Sequence, residues 1–145
     1  MERVLQHVPD PASLVLEAAR CLQPGGLLTL FEPDWRAFRV ESDVTAPEAG
    51  WLAGAQHPAV GADLWWLTEQ AGCEVMDRVE ELSVWRSLRL VGQLAGLAVA
   101  VESAVKAGRV RPEEAERWLA HQREREAEGR FRATLPKILI VAQKR

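Results

Sequence analysis

Five side chains have types and positions that could do chemistry together: His7, Glu32, Asp34, Trp35 and, further along, Trp51. A neutral imidazole takes up a proton near pH 7, so His7, in a loop, could act as a base or touch a cofactor. Glu32 and Asp34 could orient a substrate hydroxyl or amine, or simply cap the turn in which they sit. Indole rings give large apolar contact with one hydrogen-bond donor, so Trp35 and Trp51 suit a pocket for a flat, hydrophobic acceptor. The chain has six tryptophans and no tyrosine. Of the others, Trp65 and Trp66 lie close to the same mouth, yet they, Trp85 and Trp118 read more readily as core or packing anchors. Arg36 and Arg39 could pair with an anionic group, but arginines beside acidic residues are usually solvated surface pairs.

The element that must position these groups is the stretch Leu22-Gln23-Pro24-Gly25-Gly26-Leu27-Leu28-Thr29-Leu30-Phe31-Glu32-Pro33-Asp34-Trp35. It reads as a helix end, a tight turn, a strand and a polar-aromatic tip. Leu27 to Phe31 are apolar apart from Thr29, without the alternation of a strand with one wet face. This predicts a parallel strand covered on both faces, inside a sheet. Ligands of open α/β sheets bind beyond the carboxyl ends of the strands, which puts Glu32, Asp34 and Trp35 at the functional edge. Before it, Pro11 to Leu22 has one broad apolar face, with Asp10 as N-cap and Pro11 at the first helical position. Helix, turn and strand form the second half of a βαβ crossover whose first strand lies ahead of Met1 to Leu5.

Downstream, Arg36 to Val60 reads as a long, partly helical connection punctuated by Pro47, Gly50, Gly54 and Pro58. Gly61 to Ala71 predicts a second crossover helix ended by Gly72, and Cys73 to Arg86 a strand, bulged at Glu80-Glu81. One long helix follows, striped by Val91, Leu94, Ala98, Val101 and Val105 and closed by Gly108; the spacing of Gly92 and Gly96 suggests close helix packing. A shorter helix begins at Pro112, with Trp118 and Leu119 as apolar anchors and Arg123 to Glu128 as its solvated end. A last strand within Phe131 to Ala142 leads to a tail free to fray. Residues 1–145 thus form a single, partial domain, with 88–128 as a helical lid or cap.

Composition bounds the rest. A chain of 145 residues with 48% hydrophobic and 27% charged residues suits one globular domain with a real core. A net charge of -3 gives no reason to expect nucleic acid. Cys21 and Cys73, far apart and without a CxxC, read as free, mostly buried thiols of a reducing cytoplasm, and no metal site is expected. His57 and His121 carry no constellation. The uncharged run Leu90 to Val101 falls short of the ~20 residues needed to cross a bilayer, and no signal peptide is visible.

Arg3-Val4-Leu5-Gln6-His7, Asp10-Pro11, Leu22-Gln23-Pro24-Gly25-Gly26 and Glu32-Pro33-Asp34-Trp35 occur here in that order. Gly61-x-x-Leu64-x-x-Leu67, Ala71-Gly72 and Gly129-Arg130-Phe131 come later. In this the chain resembles the C-terminal half of a class I S-adenosylmethionine-dependent methyltransferase of the small-molecule type. The resemblance implies an α/β, incomplete Rossmann-like methyltransferase fold of about three strands with flanking helices. It further implies S-adenosylmethionine as cofactor, contacted by Leu5, Gln6 and His7. Glu32, Asp34, Trp35 and Trp51 would face the acceptor, and His7 and Asp34 are the catalytic candidates.

The family's glycine-rich loop and acidic ribose-binding residue have no counterpart, and no G-x-G occurs in the sequence. What is present could line one wall of a cofactor pocket, so this chain alone is expected to be inactive, as a truncated reading of a longer protein. Two other readings stay open: an interaction module that pairs with a partner chain or a second copy through an exposed strand edge, and a binder of an apolar small ligand.

Overall fold

The computed structural model describes residues 1–44 and 56–145, which divide into two compact units. Residues 45–55 of the expected connection, with Pro47, Gly50, Trp51, Leu52 and Gly54, lie outside the described residues.

The first unit comprises Met1–Ala37, Ala55–Leu82 and Pro136–Arg145. Its first helix, α1 (Pro11–Arg20), starts where the sequence says it should. The Asp10 carboxylate accepts the Ser13 N–H at 3.1 Å and the Ser13 hydroxyl at 2.6 Å, bonds that hold this acid below its usual range. At the other end the Lys144 ammonium donates to the carbonyls of Leu22 at 2.8 Å and Arg20 at 3.3 Å. The Gly25 N–H also bonds the Lys144 carbonyl, and the Lys144 N–H the Gly26 carbonyl. The chain end is thus fastened to the Pro-Gly-Gly turn rather than free to fray. Cys21, expected inside, is exposed just past the helix, whereas Cys73 is buried.

Strand β1 (Leu27–Pro33) does not have two covered faces: Leu28, Leu30 and Glu32 are buried, but Thr29 is exposed and Leu27 is 62% exposed. The reason is where the core lies. Val15 and Ala19 of α1, Val60, Leu64 and Leu67 of α2 (Val60–Gln70), and Ile138, Ile140 and Ala142 form one cluster with Leu28 and Leu30. Both helices therefore cover the same face. β1 pairs antiparallel with β4 (Ala133–Lys144), from Leu27 opposite Gln143 to Pro33 opposite Lys137, and β3 (Cys73–Trp85) also pairs with β4. Among the described residues β1 has one parallel pairing, an isolated bridge from Glu2 to Phe31. There the Arg3 N–H bonds the Phe31 carbonyl and the Phe31 N–H the Met1 carbonyl.

The second unit comprises Phe38–Gly54 and Ser83–Leu135. The predicted long helix is two, α3 (Leu88–Ala95) and α4 (Leu97–Lys106), bent by 69°. Gly96 lies between them at φ +60°, a left-handed conformation that ends a helix and that glycine adopts without a Cβ penalty. Gly92 has open space where a Cβ would go, so the glycine pair marks a break and not a close helix contact. No single helix among the described residues is long and apolar enough to cross a membrane.

The third helix of this unit, α5 (Pro112–Ala127), is the longest of the three and buries Ala115, Trp118, Gln122 and Arg125. Arg125, expected in a solvated end, is turned inward. It donates to Asp43 Oδ2 at 2.6 Å and to the Arg130 carbonyl at 3.2 Å. Burial pushes the Asp43 carboxyl up, but the hydrogen bond and charge of Arg125, with His121 and Arg130, hold it below its ordinary value. The short β2 (Arg39–Val40) pairs antiparallel with Thr134 and Ala133 at the start of β4.

One contact in the first unit fixes the distance between α2 and the end of β1. A Cβ added to Gly61 would lie 2.5 Å from the Pro33 carbonyl oxygen and 2.9 Å from the Asp34 nitrogen. Both obstacles are backbone and cannot swing away. Gly61→Ala is therefore expected to lower stability by roughly 1–3 kcal/mol through overpacking. Urea unfolding checks this; an unchanged midpoint would contradict the close approach.

Candidate functional site

The carboxyl end of β1 carries Glu32 in step with Leu28 and Leu30, so its side chain points into the unit and is fully buried. There Oε1 accepts the N–H groups of Val4 at 2.6 Å and Leu5 at 2.7 Å. These donors open the single 3-10 turn Leu5–His7, which has no cap from its own flanking residue. Helical N-termini leave such N–H groups without partners, and a carboxylate is a favourable acceptor for them. Oε2 has no hydrogen-bond partner among the described residues. Burial raises the Glu32 carboxyl above its ordinary value, against the opposing pull of the Leu5, Val4 and Gln6 N–H groups and the His7 charge.

Gln6 makes the second tie. Its Oε1 accepts the indole N–H of Trp35 at 2.6 Å, both side chains being buried, and its carbonyl accepts the N–H groups of Gln56 at 2.9 Å and His57 at 3.3 Å. The Trp35 N–H in turn donates to the Pro58 carbonyl at 2.9 Å. Residues 4–7, 32–35 and 56–58 are thereby knotted together at one end of the first unit. The knot is made mostly of backbone groups held by three buried side chains.

The expected site residues fall into distinct places. Leu5 is buried in the core cluster and Gln6 is spent on Trp35, so of the three residues assigned to the cofactor only His7 has an exposed side chain. Glu32 lies beneath the loop. Asp34 is at the rim, half-buried, where its Oδ1 accepts the Arg36 N–H at 3.1 Å and lies 3.5 Å from the Arg36 Nε. Trp35 is buried against Gln6, and Trp51 is outside the described residues. Trp65 and Trp66, expected as core anchors, are 44% and 57% exposed, because the inner face of α2 is taken by Leu64, Leu67 and Thr68. Trp118 is buried, as an anchor should be. Among the described residues no group of three or more His, Cys, Asp or Glu side chains could hold a metal ion.

Sequence reasoning missed the Gln6–Trp35 bond and the inward turn of Glu32. The second had a legible signal, since Glu32 shares the strand register of Leu28 and Leu30 and a strand's side chains alternate faces. The first had none, as the partners are far apart in sequence.

Comparison with known proteins gives the setting. No protein-family model matches the chain. An uncharacterised 37.1 kDa protein in transposon Tn4556 of Streptomyces fradiae is 34% identical over 147 residues, covering 98% of this chain and 41% of its own. The chain thus spans less than half the length of this curated relative. Among solved structures, a candidate methyltransferase from Bacillus halodurans superposes with a TM-score of 0.60 at 18% identity, covering 99% of this chain and 62% of that one. The [4+2]-cyclase SpnF gives a TM-score of 0.48 at 19% identity, covering 99% of this chain and 47% of that one. The chain has a mixed α/β, methyltransferase-like fold.

The buried carboxyl has a consequence for stability against pH. Its folded value is raised above the reference of 4.5, so folding favours the protonated form. The stability Glu32 contributes is complete below the unfolded value and lost as pH rises through the folded one. Glu32→Gln keeps an oxygen for the Val4 and Leu5 N–H groups but cannot ionise. The variant should lose less stability than the parent between about pH 4.5 and neutrality. Urea midpoints across that range measure it, and parallel curves would contradict the buried carboxylate.

Proposed function

We propose that the chain is the C-terminal half of a class I S-adenosylmethionine-dependent methyltransferase domain acting on a small-molecule acceptor. The observation that carries this reading is the knot joining residues 4–7 to the tip of β1 in a methyltransferase-like fold. In this reading the loop lies beside the cofactor and the tip beside the acceptor. When bound, the cofactor supplies an activated methyl group. Transfer from it depends chiefly on alignment of acceptor and donor, so rigid positioning can provide much of the acceleration.

Each residue then has a stated task. Glu32 and Gln6 hold the loop and the tip at fixed spacing. His7, exposed on the loop, takes the proton that the acceptor releases, and Asp34 orients the acceptor's hydroxyl or amine from the rim. The residues present do not enclose the cofactor: Leu5 and Gln6 offer only backbone on the loop, and no G-x-G lies within residues 1–145. This chain is one wall of the site, and the glycine-rich wall comes from outside these residues.

Calorimetric titration with S-adenosylmethionine tests both parts. The folded chain of 145 residues should give no saturable heat, and the same chain extended by the in-frame sequence ahead of it should bind. Saturable binding by residues 1–145 alone would contradict the one-wall assignment. A folded, extended protein that gives no heat would contradict the methyltransferase reading.

A further inference from the structure

Beside the knot, on the first unit, lies a second feature that the methyltransferase reading does not use. A cavity of about 500 Å³ opens between the N-terminal ends of α1 and α2, with Asp10, His57, Asp63 and Trp66 on its walls and Pro11, Pro58 and Leu67 among its apolar lining. That size is in the range of small-molecule pockets. It contains none of Gln6, Glu32, Asp34 or Trp35.

Its electrostatics have a definite sign. Asp10, held below the usual carboxylate range by its bonds to Ser13, is ionised at neutral pH. Asp63 lies in the first turn of α2, exposed, and its carboxylate has no hydrogen bond or ion pair among the described residues. Among the described residues no lysine or arginine lines the cavity. His57 is 3.2 Å from the Pro9 carbonyl through Nε2; a carbonyl only accepts, so that nitrogen carries hydrogen and the ring is oriented by the α1 side of the cavity. Two helix N-termini contribute about half a positive charge each, which offsets only part of two carboxylates while the His57 ring is neutral; a protonated ring, whose charge also acts on Asp10, would reduce the surplus. The surplus is negative. Beside it stands the indole of Trp66, 57% exposed, a costly placement for so large an apolar ring and one that suits a cation held over an aromatic face.

We propose that this cavity binds a small organic cation, an aliphatic or arylalkyl ammonium, with the charge between Asp63 and Asp10 and the apolar body against Trp66, Pro58 and Leu67. Gln56, His57 and Pro58 of its lining also close the knot, but binding of the cation does not depend on methyl transfer.

The test uses three probes of matched shape: 2-phenylethylammonium, 3-phenylpropionate and 3-phenylpropanol, titrated into the chain without cofactor. Chemical shifts of the Trp66 indole N–H and of the Asp63 and Ala12 amides report binding. The ammonium should saturate these shifts, the alcohol should bind more weakly, and the carboxylate should not bind. Asp63→Asn, a change at an exposed position, should weaken the ammonium about five- to tenfold, and Trp66→Leu by a similar factor. Equal binding of all three probes would reduce the feature to an apolar groove and overturn the proposal. Preference for the carboxylate would show that the helix ends dominate, and would overturn it too, as would an affinity untouched by Asp63→Asn. Absence of any shift would overturn it outright.

Discussion

The constraint on which the first unit depends is one carboxylate placed where strands normally put leucine or valine. Glu32 follows Leu28 and Leu30 on the packed face of β1, and a charged group there needs partners. It finds them in the N–H groups of Val4 and Leu5. The consequence runs outward from that pair of bonds. With its first donors fixed, the turn directs Leu5 into the core, leaves Gln6 facing Trp35, and sets His7 in the open. A buried charge satisfied on one oxygen alone is expensive, which is why its presence points to a requirement for position.

The rest of the unit is arranged to keep that end of β1 still. α1 and α2 pack on a single face of the sheet, and α2 approaches so closely at Gly61 that its first turn lies on the Pro33–Asp34 backbone. Lys144 fastens the last strand to the end of α1 at the opposite end of β1. Packed interiors transmit displacement. A shift of α2 would therefore move the tip that carries Asp34 and Trp35. The exposed face with Leu27 has no such support among the described residues, so rigidity is concentrated on the side that holds the knot.

How much of this could be read from the residues varies with the range of the interaction. Local signals were legible: Asp10-Pro11 starts α1, the double glycine ends it and opens β1, and Gly72 closes α2, because caps and turns are decided within a few residues. The α/β class and the likeness to methyltransferases came from the order of such words. Signals that depend on what lies opposite were not legible. An apolar run such as Leu27 to Phe31 looks the same whether one face or both are covered. Gly96 could not be told from a packing glycine until its left-handed φ was seen. Arg125 sits in a run of charges that looks wet, yet it meets Asp43, which is 82 residues away. Of the candidate site, the order of the loop and the tip along the chain is legible, but the bonds that join them, Glu32 to the Val4 and Leu5 N–H groups and Gln6 to Trp35, link residues more than 25 positions apart and leave no local signal.

Amide hydrogen exchange at Val4 and Leu5 reads the grip of Glu32 on the loop. Both amides should be protected in the parent protein. In Glu32→Ala they should exchange far faster, while amides of Leu30 and Ile140 in the sheet keep their protection. Val4 and Leu5 amides that exchange freely in the parent, or that are equally slow in the variant, would contradict it.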